Sequence, residues 1–231
     1  MPHCFVDHIT VTASSLEVGA AFVRELLGVS PQGGGEHPRM GTHNQLLRLG
    51  DALFLEVIAP NPSAPAPTRP RWFALDSLHP DSVPALSAWV ARSSDIYTSV
   101  SACSEMLGDI EPMSRGALNW LITIPPDGSL PLHGIAPALI QWPAEAHPAA
   151  KLPDHGLSLA KLELCHPEAE RVTRLLVSLG LENSVSVSPI PPGSSPQLVA
   201  HINTPYGLRL LPLPRQGGGW VGDGSRNART K

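Results

Sequence analysis

The sequence predicts an α+β fold built from repeated strand-helix-strand-strand-strand units. Three observations carry this: stretches of period-two apolar alternation, recurrence of one element order along the chain, and Pro/Gly-rich connectors between the recurrences. The units span residues 3–60, 85–145 and 157–213, and a Gly-rich, basic tail expected to be loose covers 214–231.

The first unit opens with "FVDHITVTA", where Phe5, Ile9 and Val11 fall on one face and Val6, His8, Thr10 and Thr12 on the other. Ser14 or Ser15 can cap the helix "LEVGAAFVRELL", whose Val18, Ala21, Phe22 and Leu26 form an apolar stripe. Gly28 suits the left-handed position beyond its last turn. Strands are expected over about 30–39, 43–49 and 52–59, the last two joined at Leu49-Gly50-Asp51. In the final strand Glu56 interrupts an apolar run. A buried carboxylate must be solvated, paired or bound to metal, because an unpaired buried charge costs several kcal/mol. Ile9, Val11, Leu55 and Val57 take the helix side, which leaves His8 and Glu56 together on the opposite face. Thr42, Asn44 and Arg48 fall with them, and His43 falls with Leu47 and Leu49. His37 lies in "GGGEHPRMGTHN", a glycine-rich segment able to serve as a lid.

In the second unit "ALSAWVARS" reads as a strand and "DIYTSVSACSEML" as a helix stopped by Gly108, while "MSRGALNWLITI" and "APALIQW" read as strands. Leu118, Trp120, Ile122 and Ile124 are assigned to the helix side and Arg115, Asn119 and Thr123 to the other. The Arg115 guanidinium is a fork for a carboxylate or phosphate, unless it pairs with Asp109 or Glu111 at the surface. The third unit runs from "LSLAKLELC" through a helix between Pro167 and Gly180 to strands ending in "LVAHINTPYGLRLLPL".

Hydrophobic residues at 42% and charged residues at 16% of 231 fit a folded globular chain. A net charge of -4 gives no electrostatic footprint for nucleic acid or an anionic membrane, so a small-molecule ligand is the expected partner. Cys4, Cys103 and Cys165 show no CxxC spacing, and no stretch has the ~20 apolar residues of a membrane span. A cytoplasmic protein is expected. Nucleophile-elbow, P-loop and dinucleotide-binding spacings are all missing.

The repeated order, "DHITV", "GGGEHPRMGTHNQLLRLGDALFLEVIA", and "MSRGALNW" followed by "ALIQWP" resemble the glyoxalase-like branch of the vicinal oxygen chelate superfamily. The likeness covers about residues 5–145 by motif and extends by pattern to about 213. It implies paired βαβββ modules whose sheets curl into a cup or half-barrel with the helices outside. It also implies a divalent metal in the cup, held by a first-strand His and a last-strand Glu of each module. His8 and Glu56 match those positions, and Gln141 falls at the second glutamate position as a weak neutral ligand. Ser87, Ala88 and Trp89 stand where a second His would be, and the third unit has neither residue. Zn, Ni, Mn or Fe would suit an imidazole and a carboxylate at close range, and a dry His8–Glu56 pair is the alternative.

The expected function is that of a metal-dependent glyoxalase-like enzyme of the lyase, isomerase or dioxygenase class, acting on a small oxygenated or anionic metabolite. His8 and Glu56 would be catalytic, and Arg115, Asn44, Arg48, Trp142 and His37 substrate-binding. The alternative is a non-catalytic binding protein whose cup holds a ligand among Phe54, Trp89, Trp142 and Arg115. Three units cannot all pair in twos. One is left to pair across a homodimer interface or to pack on the back of the cup.

Overall fold

The structure, a computed structural model, describes residues 3–115, 118–143 and 147–212, so the expected tail lies outside the described residues. Strand β1 (Phe5–Thr12), helix α1 (Leu16–Leu27) and strands β2 (Gln32–His37), β3 (Thr42–Gly50) and β4 (Leu53–Pro60) follow one another as anticipated. Ser15 caps α1 by accepting from the Val18 N–H at 3.3 Å, and Gly28 ends it at φ 77°. The buried face of α1 is Gly19, Val23 and Leu27, not the stripe through Val18, which is 44% exposed. Gly19 is the cause. A Cβ there would stand 2.5 Å from Val57 Cγ1, so the absent side chain is what lets the helix lie against β4 on that line.

Next come β5 (Ala85–Arg92), α2 (Ile96–Ala102), β6 (Asp109–Arg115), β7 (Leu118–Ile124) and β8 (Ala138–Gln141). Helix α2 begins on Asp95, which accepts from the Thr98 N–H at 3.1 Å, and stops at Cys103, well before Gly108. Met113 to Arg115 close β6 rather than opening β7, with Met113 opposite Trp120 and Arg115 opposite Leu118. Residues directly opposed in an antiparallel pair share a face. Arg115, Leu118 and Trp120 therefore look the same way, which corrects the division expected from the sequence.

These ten elements form one eight-stranded sheet in the order β2-β3-β4-β1-β5-β8-β7-β6, each half repeating the other and the halves meeting at the antiparallel β1–β5 pair. The sheet curls until its edges meet. Arg39, just past β2, donates to the Pro112 carbonyl of β6 at 2.8 Å, and Arg39 and Arg69 both pair with Glu111. Ile9, Val11, Leu55 and Val57 pack on the convex side with Val23 and Leu27 of α1, while Ile58, Val90, Ile122 and Ile140 pack on the concave side.

The last elements are β9 (Ser158–His166), α3 (Ala169–Leu179), β10 (Ser186–Pro189), β11 (Gln197–Thr204) and β12 (Gly207–Pro212). Their element order is that of the first unit, but the strands pair as β10-β9-β11-β12 in a separate sheet. This sheet covers the convex back. Leu162, Leu164, Leu198 and Ile202 share a core with Trp89 and Val23, the Cys4 N–H donates to the Leu179 carbonyl at 3.0 Å, and Arg171 grips Glu105 with bonds of 2.7 and 2.9 Å. Among the described residues no helix is long and apolar enough to cross a membrane.

The glycine run before Glu36 is an edge strand rather than a free lid. Gly35, Glu36 and His37 pair with Asn44, His43 and Thr42, and the register shifts between Gln32 and Gly35. Gly34 sits there at φ +90°, where a Cβ would lie 2.0 Å from the Asn44 carbonyl oxygen. Gly34→Ala is expected to lower stability by about 1–3 kcal/mol, read as a drop in thermal midpoint. An unchanged midpoint would show that β2 is not held in this register.

Candidate functional site

Four neighbouring strands each supply polar side chains to the concave face, and β6 closes over them from the other edge. Thr10 lies opposite Glu56 in the β1–β4 pairing, and Leu46 lies opposite Glu56 in the β3–β4 pairing, two residues along from Asn44. Glu56 Oε1 accepts from Asn44 Nδ2 at 2.5 Å, its Oε2 accepts from the Thr10 hydroxyl at 3.4 Å, and His8 Nε2 stands 3.6 Å from Oε2. His8 and Glu56 thus face each other within the cup. The orientation of the Asn44 amide is fixed by its oxygen, which accepts from Arg115 Nη1 and from the Gly35 N–H, both at 2.9 Å. A continuous chain of polar contacts runs Arg115, Asn44, Glu56, His8.

It extends to a residue that strand alternation hides. Asp7 should point to the helix side, but the β1–β5 register slips between Val6 and His8, leaving Asp7 as the extra residue of a bulge. Its carboxylate lies 2.7 Å from His8 Nδ1 and is wholly buried. Trp142 Nε1 donates to its other oxygen at 3.0 Å, and His147 Nε2 approaches the same oxygen at 3.1 Å. The Ala149 N–H donates to His147 Nδ1 at 3.3 Å, so the proton of neutral His147 sits on Nε2. Burial alone would raise the Asp7 pKa, but hydrogen bonds and charge from His147 and His8 outweigh it and hold the carboxyl below the usual carboxylate range. Asp7 so placed accepts the Nδ1–H hydrogen bond of neutral His8 and leaves Nε2 as the basic nitrogen, aimed into the cup.

The rest of the wall is aromatic and apolar. Phe54 stacks on His8 with centroids 4.5 Å apart, and Trp72, Phe73, Trp120, Ile122, Ile140 and Trp142 complete the pocket. His37 reaches this pocket from the end of β2, its Nδ1 3.1 Å from the Thr42 hydroxyl and its ring against the edges of Trp72 and Trp120. Burial, and after it the Arg115 guanidinium, push its pKa down to about 3, so His37 is neutral at ordinary pH. Burial likewise pushes Arg115 below its ordinary value, with the Glu56 charge acting in the opposite sense.

Three expectations are corrected. Gln141 does not enter the cup: its Oε1 accepts from the Ile96 N–H at 2.8 Å, at the start of α2. The parallel pairing explains this, since His8 lies opposite Phe54 and Val90 opposite Ala138, which sets Ile140, not Gln141, in the place of Glu56. Arg48 is on the anticipated face but at the far hairpin end, where it pairs with Asp51 at 2.6 Å and lines no part of the pocket. Trp89 is fully buried on the convex side, donating to the Ile135 carbonyl at 2.8 Å.

Two βαβββ modules closing one cup define a protein of the vicinal oxygen chelate type. The sequence model of the family described as a glyoxalase-like domain matches residues 6–180, and the chain belongs to that family. Among solved structures it is similar to a hypothetical protein from Staphylococcus aureus, at 11% identity and TM-score 0.54, covering 90% of this chain and 84% of that one. It is also similar to methylmalonyl-CoA epimerase from Mycobacterium tuberculosis, at 17% identity and TM-score 0.42, covering 61% of this chain and 89% of that one. No curated protein matches the chain.

Superfamily members typically use a divalent metal, and the donor set here fits one poorly. Among the described residues no three His, Cys, Asp or Glu side chains are grouped to hold an ion. The second module turns Ala88, Val90 and Ile140 toward the cup, and both oxygens of Glu56 already accept hydrogen bonds.

Proposed function

We propose that the cup is the active site of an enzyme that moves a proton on a small oxygenated, anionic metabolite. Glu56 and His8 handle the proton, and Arg115 anchors the anionic group. The observation that supports this best is the pairing of Glu56 with a His8 whose second nitrogen is fixed by the buried Asp7. A base so held can take a proton from a carbon beside a carbonyl, the electron pair moving to the carbonyl oxygen. Return of that proton to the other face is isomerisation, and loss of a neighbouring group is a lyase reaction. We assign Asn44 to holding Glu56 in place, and His37, Trp142 and Phe54 to the walls around the substrate. Glu56, bonded to Asn44 and Thr10, acts as a proton carrier rather than as a ligand to Zn, Ni, Mn or Fe.

A second reading, capture without reaction, is favoured by the aromatic lining. Proton NMR in D₂O on small 2-oxo and 3-oxo carboxylates, with protein washed free of metal by a chelator, separates the two. Loss of the C–H signals beside the carbonyl, faster than in buffer, is the expected result. Saturable binding without exchange would establish the binder. Exchange that appears only when a divalent ion is restored would overturn the metal-free assignment.

A further inference from the structure

The Pro-rich stretch over 59–71 reads as a connector between the first two modules, yet the residues that follow it fill the second half of the cup. Trp72, Phe73 and Leu75 pack there among Ala88, Val90, Ile122 and Ile124. Behind them lies a second, narrow cavity, lined by Leu107, Ile124, Leu130, Pro131, Ala136 and Ala138 among others. Trp72, Phe73 and Ile122 are common walls of this cavity and of the pocket that holds His8, Glu56 and Arg115. The two spaces are one cup divided by two side chains.

That partition is held in an unfavourable state. Phe73 and its neighbour Ala74 adopt left-handed backbone angles, φ 56° and 53°, which cost non-glycine residues of order 1 kcal/mol or more each. The indole N–H of Trp72 is sealed from solvent and has no hydrogen-bond partner among the described residues. A buried donor left unmatched is destabilising. A ligand oxygen beside Trp72 would satisfy it, and a turn of the Phe73–Ala74 backbone would relieve the strain.

We infer that Trp72 and Phe73 are a movable partition, and that the cavity behind them is a subsite for the apolar tail of the substrate. This rests on the proposed function and adds a substrate class to it. The metabolite is a small carboxylate with an acyl or aryl group. Its charged end lies at Arg115 and its tail passes Trp72, whose N–H meets an oxygen at the junction. The tail subsite offers carbon surface: apart from the Trp72 N–H at its entrance, only Thr123 and Ser129 of its lining carry polar side chains.

Calorimetric titration with straight-chain carboxylates from acetate to octanoate tests this. Affinity is expected to rise about fourfold per methylene once the chain is long enough to pass Trp72. Ala138→Phe and Leu130→Trp, which fill the rear cavity from a strand and from a loop, are each expected to abolish the rise and leave acetate binding unchanged. The loop variant serves if the strand variant does not fold. Acetate binding with no rise in the unaltered protein would overturn the partition and leave the proposed site intact. A rise that survives both fillings would place the tail elsewhere and overturn it too. Binding of no carboxylate of any length would overturn both this inference and the anchoring role of Arg115.

Discussion

Asp7→Ala is expected to lower stability by roughly 3–5 kcal/mol at neutral pH, as removing the shared acceptor of three buried donors at about 1–3 kcal/mol each does. For a chain of this size that is a drop in thermal midpoint of very roughly 10 °C. The carboxylate is wholly buried, and three ring nitrogens, from His8, Trp142 and His147, converge on it at 2.7 to 3.1 Å. Alanine leaves all three donors without their shared acceptor. The folded carboxyl titrates below its ordinary value of 3.8, so its stabilisation is whole above that pH and drains away as the pH falls through the folded value. Urea unfolding of both proteins at pH 7 and near pH 3 checks this: the gap should narrow in acid. A gap that is small at pH 7, or that widens in acid, would mean that the cluster does not hold β1 in place.

How far this site was legible follows from how strands encode direction. Alternation placed His8 and Glu56 on one face because Ile9, Val11, Leu55 and Val57 had to meet α1, and the structure brings the two side chains within 3.6 Å. The same rule fails at a bulge, which hides Asp7: the dipeptide Asp7-His8 reads as two opposed side chains when it is a bonded pair. His147 was invisible for another reason, since it comes from an irregular segment whose path depends on tertiary packing. In β8 only four residues pair, too few for parity to be read, so Gln141 was placed one residue out. The apolar residues of β7 were sent to the helix because nothing in the Pro-rich connector announces that Trp72 and Phe73 will cover the concave face instead. Fold class thus follows from periodicity that many residues share, while the site turns on single-residue shifts that few residues report.

Glu56→Gln is expected to leave the fold standing and to slow proton exchange by about 10²–10⁴-fold. The geometry allows the isostere. Asn44 cannot turn, because its oxygen is held by Arg115 and Gly35, so its Nδ2 always presents a donor and the glutamine oxygen takes that place. The glutamine NH₂ then falls on the side of Thr10 and His8, where the hydroxyl can rotate to accept and the unprotonated Nε2 of His8 offers a second acceptor. Every buried donor keeps an acceptor, so the stability change should stay within about 1 kcal/mol. What is lost is the capacity to carry a proton, because an amide cannot. Carboxylate affinity, governed by Arg115, should change little, so the loss belongs in the rate and not in binding. Asn44→Leu is the companion variant: it frees Glu56 and Arg115 together, and both affinity and rate should fall. If Glu56→Gln exchanged protons at the unaltered rate, the carboxylate would be a structural brace for Asn44, and the base would have to be His8 with Asp7 behind it.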